Sequence, residues 1–234
     1  MFENMLDEIR AGDQRALSRA ISMVENEVTG FENLLDSAHA APTPIVGITG
    51  APGAGKSTLT DCLLSDLVRE HNNIAVICID PSSPYTKGAI LGDRIRMSQW
   101  YNHPQVFIRS LATRGALGGL PRQFENVTKL LRSAAFDIII IETVGVGQSE
   151  TEIASLADIT ILVLVPESGD DIQFMKAGLM EIGDIFVVNK CDRPGADQFA
   201  NEIKQSAKNK IVVKTIANTN VGVGELFSFI NNKI

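Results

Sequence analysis

The chain has 234 residues, of which 44% are hydrophobic and 21% are charged, so it is too apolar for a disordered chain and long enough for one large domain or one with a small appendage. Its net charge of −7 argues against a nucleic-acid-binding protein, and its three cysteines are too far apart in sequence for a disulfide framework or a cysteine-rich zinc site. No apolar run approaches the about 18 residues that cross a bilayer, and the mixed charges of the N-terminus differ from those of a secretory signal or a mitochondrial presequence. We therefore expect a cytoplasmic protein that binds neither membranes nor nucleic acid.

The first 41 residues carry a helical pattern. Apolar residues recur at steps of three or four along residues 2–9 and again from Leu17 to Leu35. Residues 11–13, Ala-Gly-Asp, are typical of a helix end followed by a new N-cap, and Pro42 and Pro44 end the pattern. We expect an N-terminal helical extension over residues 1–41 and a separate domain over residues 42–234.

From residue 45 onward, short runs rich in Ile and Val alternate with longer amphipathic stretches, and residues 224–232 form a closing helix. Strands that are apolar on both faces and alternate with helices are typical of a parallel sheet covered on both sides. The pattern therefore predicts an α/β fold with a mainly parallel sheet of about seven strands flanked by helices. The predicted strands are Ile45–Thr49, Ile74–Asp80, Val106–Leu111, Asp137–Glu142, Ile159–Val165, Ile185–Asn189 and Ile211–Thr215.

Residues 50–57, Gly-Ala-Pro-Gly-Ala-Gly-Lys-Ser, match the phosphate-binding loop GxxxxGK[ST] at every fixed position. The match follows a predicted strand and precedes a predicted helix, which is the setting that a P-loop NTPase requires. Lys56 can reach the β- and γ-phosphates of a nucleotide, and the Ser57 hydroxyl can bind Mg²⁺. The residues that we expect to bind the nucleotide here are Ala51, Pro52, Gly53, Ala54, Gly55, Lys56, Ser57 and Thr58.

Residues 189–192, Asn-Lys-Cys-Asp, fit the NKxD element of GTP-binding proteins at the end of a Val-rich strand. The Asp192 carboxylate can accept hydrogen bonds from guanine N1–H and the 2-amino group, and adenine has no matching pair of donors. We therefore expect Asn189, Lys190 and Asp192 to select GTP over ATP. Residues 215–217, Thr-Ile-Ala, end the next strand and fit the looser element that packs beside the base, where we expect Ala217 to contact the nucleotide.

Three acidic residues follow or approach strand ends: Asp80, Asp93 and Glu142. A P-loop enzyme needs carboxylates near the γ-phosphate to hold Mg²⁺ directly or through water. Glu142 begins Glu-Thr-Val-Gly, which is similar to the DxxG element, and the N–H of Gly145 can report on the γ-phosphate. Val146 occupies the position where Ras-like enzymes place the glutamine that orients water, so we expect slow intrinsic hydrolysis that a partner accelerates.

Further stretches make the sequence resemble the MeaB/ArgK/MMAA family of G3E-class P-loop GTPases, whose members chaperone adenosylcobalamin-dependent acyl-CoA mutases. The stretches occur in the family's order over essentially the whole chain: residues 10–21, 80–84, 90–94, 114–120 and 142–150. The resemblance implies GTP and GDP as ligands with Mg²⁺, and a mutase on a separate chain as the partner. It also implies gating of cofactor loading and protection of that mutase.

The resemblance also implies roles by position. Ser57, Asp80, Asp93 and Glu142 would form the magnesium shell, and catalysis would rest on Lys56, Asp93, Glu142 and Gly145. Residues 169–176 are similar to the family's third switch loop, which senses the mutase, so coupling would rest on Asp170, Asp171, Gln173 and Lys176. Family members commonly continue into a helical dimerisation arm, whereas this sequence ends at Ile234, so we expect a monomer or a homodimer of another kind.

Two other functions fit parts of the pattern. A nickel or cobalt metallochaperone GTPase of the G3E class would also use Glu-x-x-Gly, but such proteins usually carry a Cys/His metal site, and His39, His71 and His103 are isolated in the sequence. A transport-system kinase or ATPase of the LAO/AO type would need a second substrate pocket, and Asp192 argues against ATP.

Overall fold

A seven-stranded sheet, parallel at every strand pair, forms the centre of the described part of the chain. The computed structural model describes residues 2–39, 41–80, 97–113, 119–143, 145, 149–166, 179–207 and 209–234. The strand order is β3-β2-β4-β1-β5-β6-β7, which confirms the predicted sheet, and each strand boundary falls within one residue of the prediction. The strands are β1 (Ile45–Gly50), β2 (Ile74–Asp80), β3 (Val106–Ala112), β4 (Ile138–Glu142), β5 (Ile159–Leu164), β6 (Ile185–Val188) and β7 (Ile211–Lys214).

Helices connect the strands and cover both faces of the sheet. Short 3₁₀ helices also occur at Ser98–Trp100 and Ala217–Thr219. Within the described ranges, every helix is too short or too polar to span a lipid bilayer. The α-helices are α1 (Phe2–Arg10), α2 (Gln14–Glu25), α3 (Phe31–Asp36), α4 (Lys56–Glu70), α5 (Phe124–Arg132), α6 (Ser149–Leu156), α7 (Leu179–Ile182), α8 (Ala196–Ser206) and α9 (Val223–Asn231).

The strand β1 lies in the middle of the sheet and determines where a ligand can bind. It pairs with β4 on one side and with β5 on the other. The chain therefore winds in opposite directions on the two sides of β1. In such sheets the crevice at the carboxyl ends of the strands, where the order reverses, is the usual ligand site. The residues that follow β1, β4 and β6 meet at this edge.

Three apolar clusters hold the helices to the sheet, and the smallest of them joins α8 to β5 and β6. On one face, Leu59, Leu63 and Leu67 of α4 pack with Leu226 and Ile230 of α9 against strand residues such as Val46 and Ile140. On the other face, helices α1–α3, α5 and α6 share a single core with β1–β4, and its members include Leu6, Ile21, Leu34, Phe124 and Ile153. The N-terminal helices are therefore an integral cover of the sheet.

The N-terminal helical segment differs from the prediction in one place. The apolar stripe predicted from Leu17 to Leu35 is interrupted, because α2 ends at Glu25 and α3 begins at Phe31. Glu27 and Gly30 both have left-handed backbones, with φ of 49° and 91°, so the chain turns between the helices. Val28, which the stripe placed on the apolar face, is 44% exposed as a result.

Candidate functional site

The loop between β1 and α4 wraps tightly around the N-terminus of α4. The Lys56 side chain is 6% exposed, and its Nζ donates to the carbonyls of Gly50 at 2.8 Å and Ala51 at 3.0 Å. Gly50 has φ of 138°, and a Cβ there would lie 2.1 Å from the carbonyl oxygen of Val163, so only glycine fits. A helix N-terminus with a lysine beside it forms a binding site for an anion such as phosphate.

A cleft of about 300 Å³ opens beside this loop. Nine residues predicted to bind the nucleotide line it: Gly53, Gly55, Lys56, Ser57, Thr58, Asn189, Lys190, Asp192 and Ala217. Of the other predicted loop residues, Ala51 and Ala54 are buried, and Pro52 is exposed. The lining also includes Ile216, next to Ala217 in the predicted base element, and Arg193 and Asn218, which the sequence analysis did not identify. The fold therefore brings the phosphate loop and the NKxD element to one cleft.

The Asn189 side chain joins the phosphate loop to residues 215–217 through three hydrogen bonds. Its Nδ2 donates to the carbonyl of Ala54 at 2.8 Å, and its Oδ1 accepts from Thr215 Oγ1 at 3.0 Å and from the N–H of Ala217 at 3.1 Å. The side chain is 2% exposed, so these bonds form away from water. A Cβ at residue 55 would lie 2.4 Å from Asn189 Nδ2, which explains why glycine stands there. Asn189 thus fixes the distance between the phosphate and base ends of the cleft.

Two cysteine thiols lie close to the base end of the cleft. Cys62 on α4 donates to the carbonyl of Ala217, and Cys191 donates to the carbonyl of Val188, each at 3.0 Å. Burial raises the pKa of both thiols, so both stay protonated at neutral pH. They act as weak hydrogen-bond donors that tie neighbouring elements together.

Glu142 is the buried acid at the phosphate end of the site. It ends β4, is 3% exposed, and receives hydrogen bonds from two hydroxyls of α4. Ser57 Oγ donates to its Oε1 at 2.6 Å, and Thr60 Oγ1 donates to its Oε2 at 3.0 Å. Thr60 is a site residue that the sequence analysis missed. Its signal was its position three residues after Ser57, which places both on one face of the helix.

Gly145 lies against the phosphate loop. Its φ is 82°, and a Cβ there would lie 1.7 Å from the carbonyl oxygen of Gly50 and 2.9 Å from Lys56 Nζ. Two residues earlier, the Thr143 hydroxyl forms a buried 2.8 Å hydrogen bond with that of Thr49. Thr143 is therefore held to β1, and Gly145 lies close to the start of the phosphate loop.

The oxygen donors at this end suit a hard cation. Ser57 and Glu142 are in contact, and Asp80 is buried at the end of β2, which pairs with β4. Mg²⁺ prefers oxygen ligands and usually shares its shell with phosphates and water, and in the described ranges no group of three His, Cys, Asp or Glu side chains forms a metal cage. Asp93 and the predicted switch residues Asp170, Asp171, Gln173 and Lys176 lie outside the described residues.

Sequence comparison relates this chain to known proteins. The family model described as methylmalonyl Co-A mutase-associated GTPase MeaB matches residues 17–233. A protein of Pyrococcus horikoshii named as a candidate GTPase is 44% identical over 239 residues, which cover 97% of this chain and 75% of that protein. The GTPase ArgK of Escherichia coli is 41% identical over 190 residues, 79% of this chain and 57% of its own length. A fused isobutyryl-CoA mutase of Cupriavidus metallidurans is 41% identical over 213 residues, 88% of this chain and 19% of that protein.

Solved structures share the fold. A crystal structure of a LAO/AO transport system kinase superposes with a TM-score of 0.77 at 28% identity, over 99% of this chain and 74% of the other. HypB from Helicobacter pylori, solved in complex with nickel, has a TM-score of 0.59 at 16% identity, over 91% of this chain and 94% of that one, and shows the fold alone. These relationships confirm the P-loop NTPase fold and the resemblance found in the sequence. The chain belongs to the MeaB family of methylmalonyl-CoA mutase-associated GTPases, and it is an enzyme that binds guanine nucleotide and hydrolyses GTP.

Proposed function

We propose that the protein is a GTP-driven switch that chaperones an adenosylcobalamin-dependent acyl-CoA mutase on a separate chain, gating cofactor loading and protecting the mutase. Two comparisons support this partner. The family is described by its association with methylmalonyl-CoA mutase, and the relative named as a fused isobutyryl-CoA mutase contains a region 41% identical to this chain.

The observation that carries the nucleotide part of the proposal is the bridge made by Asn189 between the carbonyl of Ala54 and the N–H of Ala217. Asp192 lines the same cleft, and we propose that the purine base binds beside it. The Asp192 carboxylate would accept from guanine N1–H and the 2-amino group. With adenine it would have no donor to bind, and such an unpaired polar group discriminates strongly.

At the other end of the cleft, Lys56 would exchange its two carbonyl acceptors for oxygens of the β- and γ-phosphates. The N–H groups at the start of α4 would bind the same phosphates. Water then attacks the γ-phosphorus, the bond to the bridging oxygen breaks, and GDP leaves with that oxygen. Mg²⁺ would be held by Ser57 with Asp80, Asp93 and Glu142, and it would neutralise charge on the phosphate oxygens.

The switch would operate through the segment after β4. The N–H of Gly145 would contact the γ-phosphate, so GTP and GDP would favour different positions of this segment. Differential binding of this kind is required for any transduction. Val146 replaces a water-orienting glutamine, so we propose a slow intrinsic rate that the mutase raises. Coupling to the mutase would use Asp170, Asp171, Gln173 and Lys176.

The test is hydrolysis of GTP and of ATP by the purified protein, alone and with methylmalonyl-CoA mutase or another adenosylcobalamin-dependent acyl-CoA mutase. We expect slow GTP hydrolysis that rises when the mutase is added, and no hydrolysis of ATP. Lys176→Ala should lower the mutase-stimulated rate more than the unstimulated rate. If no mutase of the class changes the GTPase rate, the chaperone proposal is wrong, and nickel and cobalt are the next ligands to titrate. If ATP is hydrolysed as well as GTP, the role of Asp192 is wrong and a transport-system kinase becomes the better model.

A further inference from the structure

The carboxylate of Glu142 has both oxygens bound to hydroxyls, and only one of those hydroxyls belongs to the phosphate-loop motif. Ser57 is the motif residue and holds Oε1 at 2.6 Å. Thr60 lies one turn further along α4, is fully buried, and holds Oε2 at 3.0 Å. The acid is thus clamped against one helix at two points.

The Thr60 hydroxyl lies within hydrogen-bond distance of two acceptors, a backbone carbonyl and the Glu142 carboxylate. Its Oγ1 lies 3.0 Å from the carbonyl oxygen of Lys56 and 3.0 Å from Glu142 Oε2. A hydroxyl carries a single proton, so it donates fully to one acceptor at a time. An ionised carboxylate is the stronger acceptor, so the proton goes to Glu142.

We propose that Thr60 is a positioning residue that aims the Glu142 carboxylate at the magnesium ion of the nucleotide complex. This rests on the proposed roles of Glu142 and Mg²⁺. With Oε2 held by Thr60, Oε1 faces Ser57 and accepts its proton, so the two proposed Mg²⁺ ligands Ser57 and Glu142 stay in contact. Without Thr60, the Glu142 carboxylate loses one of the two hydroxyl donors described above and turns more easily about its last torsion angle. Mutation of a residue that hydrogen-bonds to a metal ligand typically lowers metal affinity or activity by about 10- to 100-fold.

The chain offers a matched control for the loss of a helix hydroxyl. Thr128 on α5 is also buried, and its Oγ1 donates to the carbonyl four residues earlier, Phe124, at 2.9 Å. This is the same local bond that Thr60 can make to Lys56. Thr128→Val removes such a bond in a different helix, whereas Thr60→Val removes it together with the contact to Glu142.

The experiment measures release of a fluorescent GDP analogue from the full chain over a range of Mg²⁺ concentrations, and its affinity in EDTA. We expect Thr60→Val to raise the half-saturating Mg²⁺ concentration about 10- to 100-fold while the affinity in EDTA stays at the wild-type level. Thr60→Ser should return the Mg²⁺ requirement to near that of the wild type, and Thr128→Val should leave it unchanged. Thr60→Ala repeats the test without a methyl group beside Glu142, should the valine variant not fold.

Three results overturn the inference. A folded Thr60→Val or Thr60→Ala variant with the wild-type Mg²⁺ requirement removes the positioning role. A Thr128→Val variant that shifts the requirement equally shows general loosening of helices. A wild-type protein whose GDP release ignores Mg²⁺ overturns the proposed magnesium site itself, which distinguishes that failure from a failure of Thr60 alone.

Discussion

Gly145→Ala tests whether the segment after β4 must contact the phosphate loop for GTP hydrolysis. An added Cβ would lie 1.7 Å from the carbonyl oxygen of Gly50, which is backbone and cannot rotate away, so the segment must move. The added side chain would also disfavour the φ of 82°, by about 1–2 kcal/mol. A displacement of about 1 Å at a reacting group can lower a rate roughly 100-fold. We expect a loss of that order in GTP hydrolysis, measured as phosphate release, with GDP affinity within a few-fold of wild type.

Gly12→Ala separates the clash from the backbone cost. Gly12 has φ of 87°, and a Cβ there would meet no atom within 4 Å. It should lower the melting temperature by roughly 2–8 °C, since 1 kcal/mol shifts a chain of this size by about 2–4 °C, and leave hydrolysis unchanged. A Gly145→Ala protein that folds and hydrolyses GTP at the wild-type rate would show that contact between this segment and the loop is not needed.

Three further perturbations address the base, a helix contact and a cap. Asp192→Ala should weaken GTP binding at least about 100-fold, because the guanine N1–H and 2-amino group lose their carboxylate acceptor. Competition with a fluorescent nucleotide measures the affinity. An equal loss of affinity for ATP and GTP would contradict base selection by Asp192. Trp100 Nε1 donates to Asp61 Oδ1 at 2.7 Å, so Trp100→Phe should cost about 1–3 kcal/mol of unfolding free energy in a urea titration, and an unchanged midpoint with an unchanged slope refutes this. N–H groups of Ala16 and Arg15 lower the pKa of Asp13 below its usual 3.8, so the stability that its charge adds is present above that value and is lost as pH falls through the folded-state pKa. Asp13→Asn should thus lower the melting temperature at pH 7 and match the wild type at the acid end, and a constant difference would refute the charge effect.

The sheet could be predicted because each strand from β1 to β6, except β3, is buried along its whole length. Such strands appear in the sequence as continuous apolar runs between polar helix faces. The end of β6 was placed one residue late, since Asn189 continues the chain direction but turns its side chain to Ala54 and Ala217. The break after α2 was missed because the exposure of Val28 depends on how α3 packs, which the local pattern does not contain.

Within the site, the loop and Asn189 were found because their spacing is local and recurs in nucleotide-binding proteins. The contact between Thr60 and Glu142 joins residues 82 positions apart, and it exists because β4 pairs with β1 in one register. The sequence around either residue does not show that Thr60 and Glu142 will be in contact. Arg193 and Asn218 were missed for a similar reason, since only the folded cleft shows that they line it.

Because β1 lies at the centre of the sheet, it is synthesised well before the strand that pairs with it on one side. Gly50 of β1 pairs with Val163 of β5, and the two residues are 163 − 50 = 113 positions apart in the sequence. At about 5–20 residues per second, translation of that interval takes roughly 6–23 s. During that time the end of β1 has no β5 strand to pair with. The complete cleft, whose lining extends to Asn218, therefore forms only after these later segments have been synthesised.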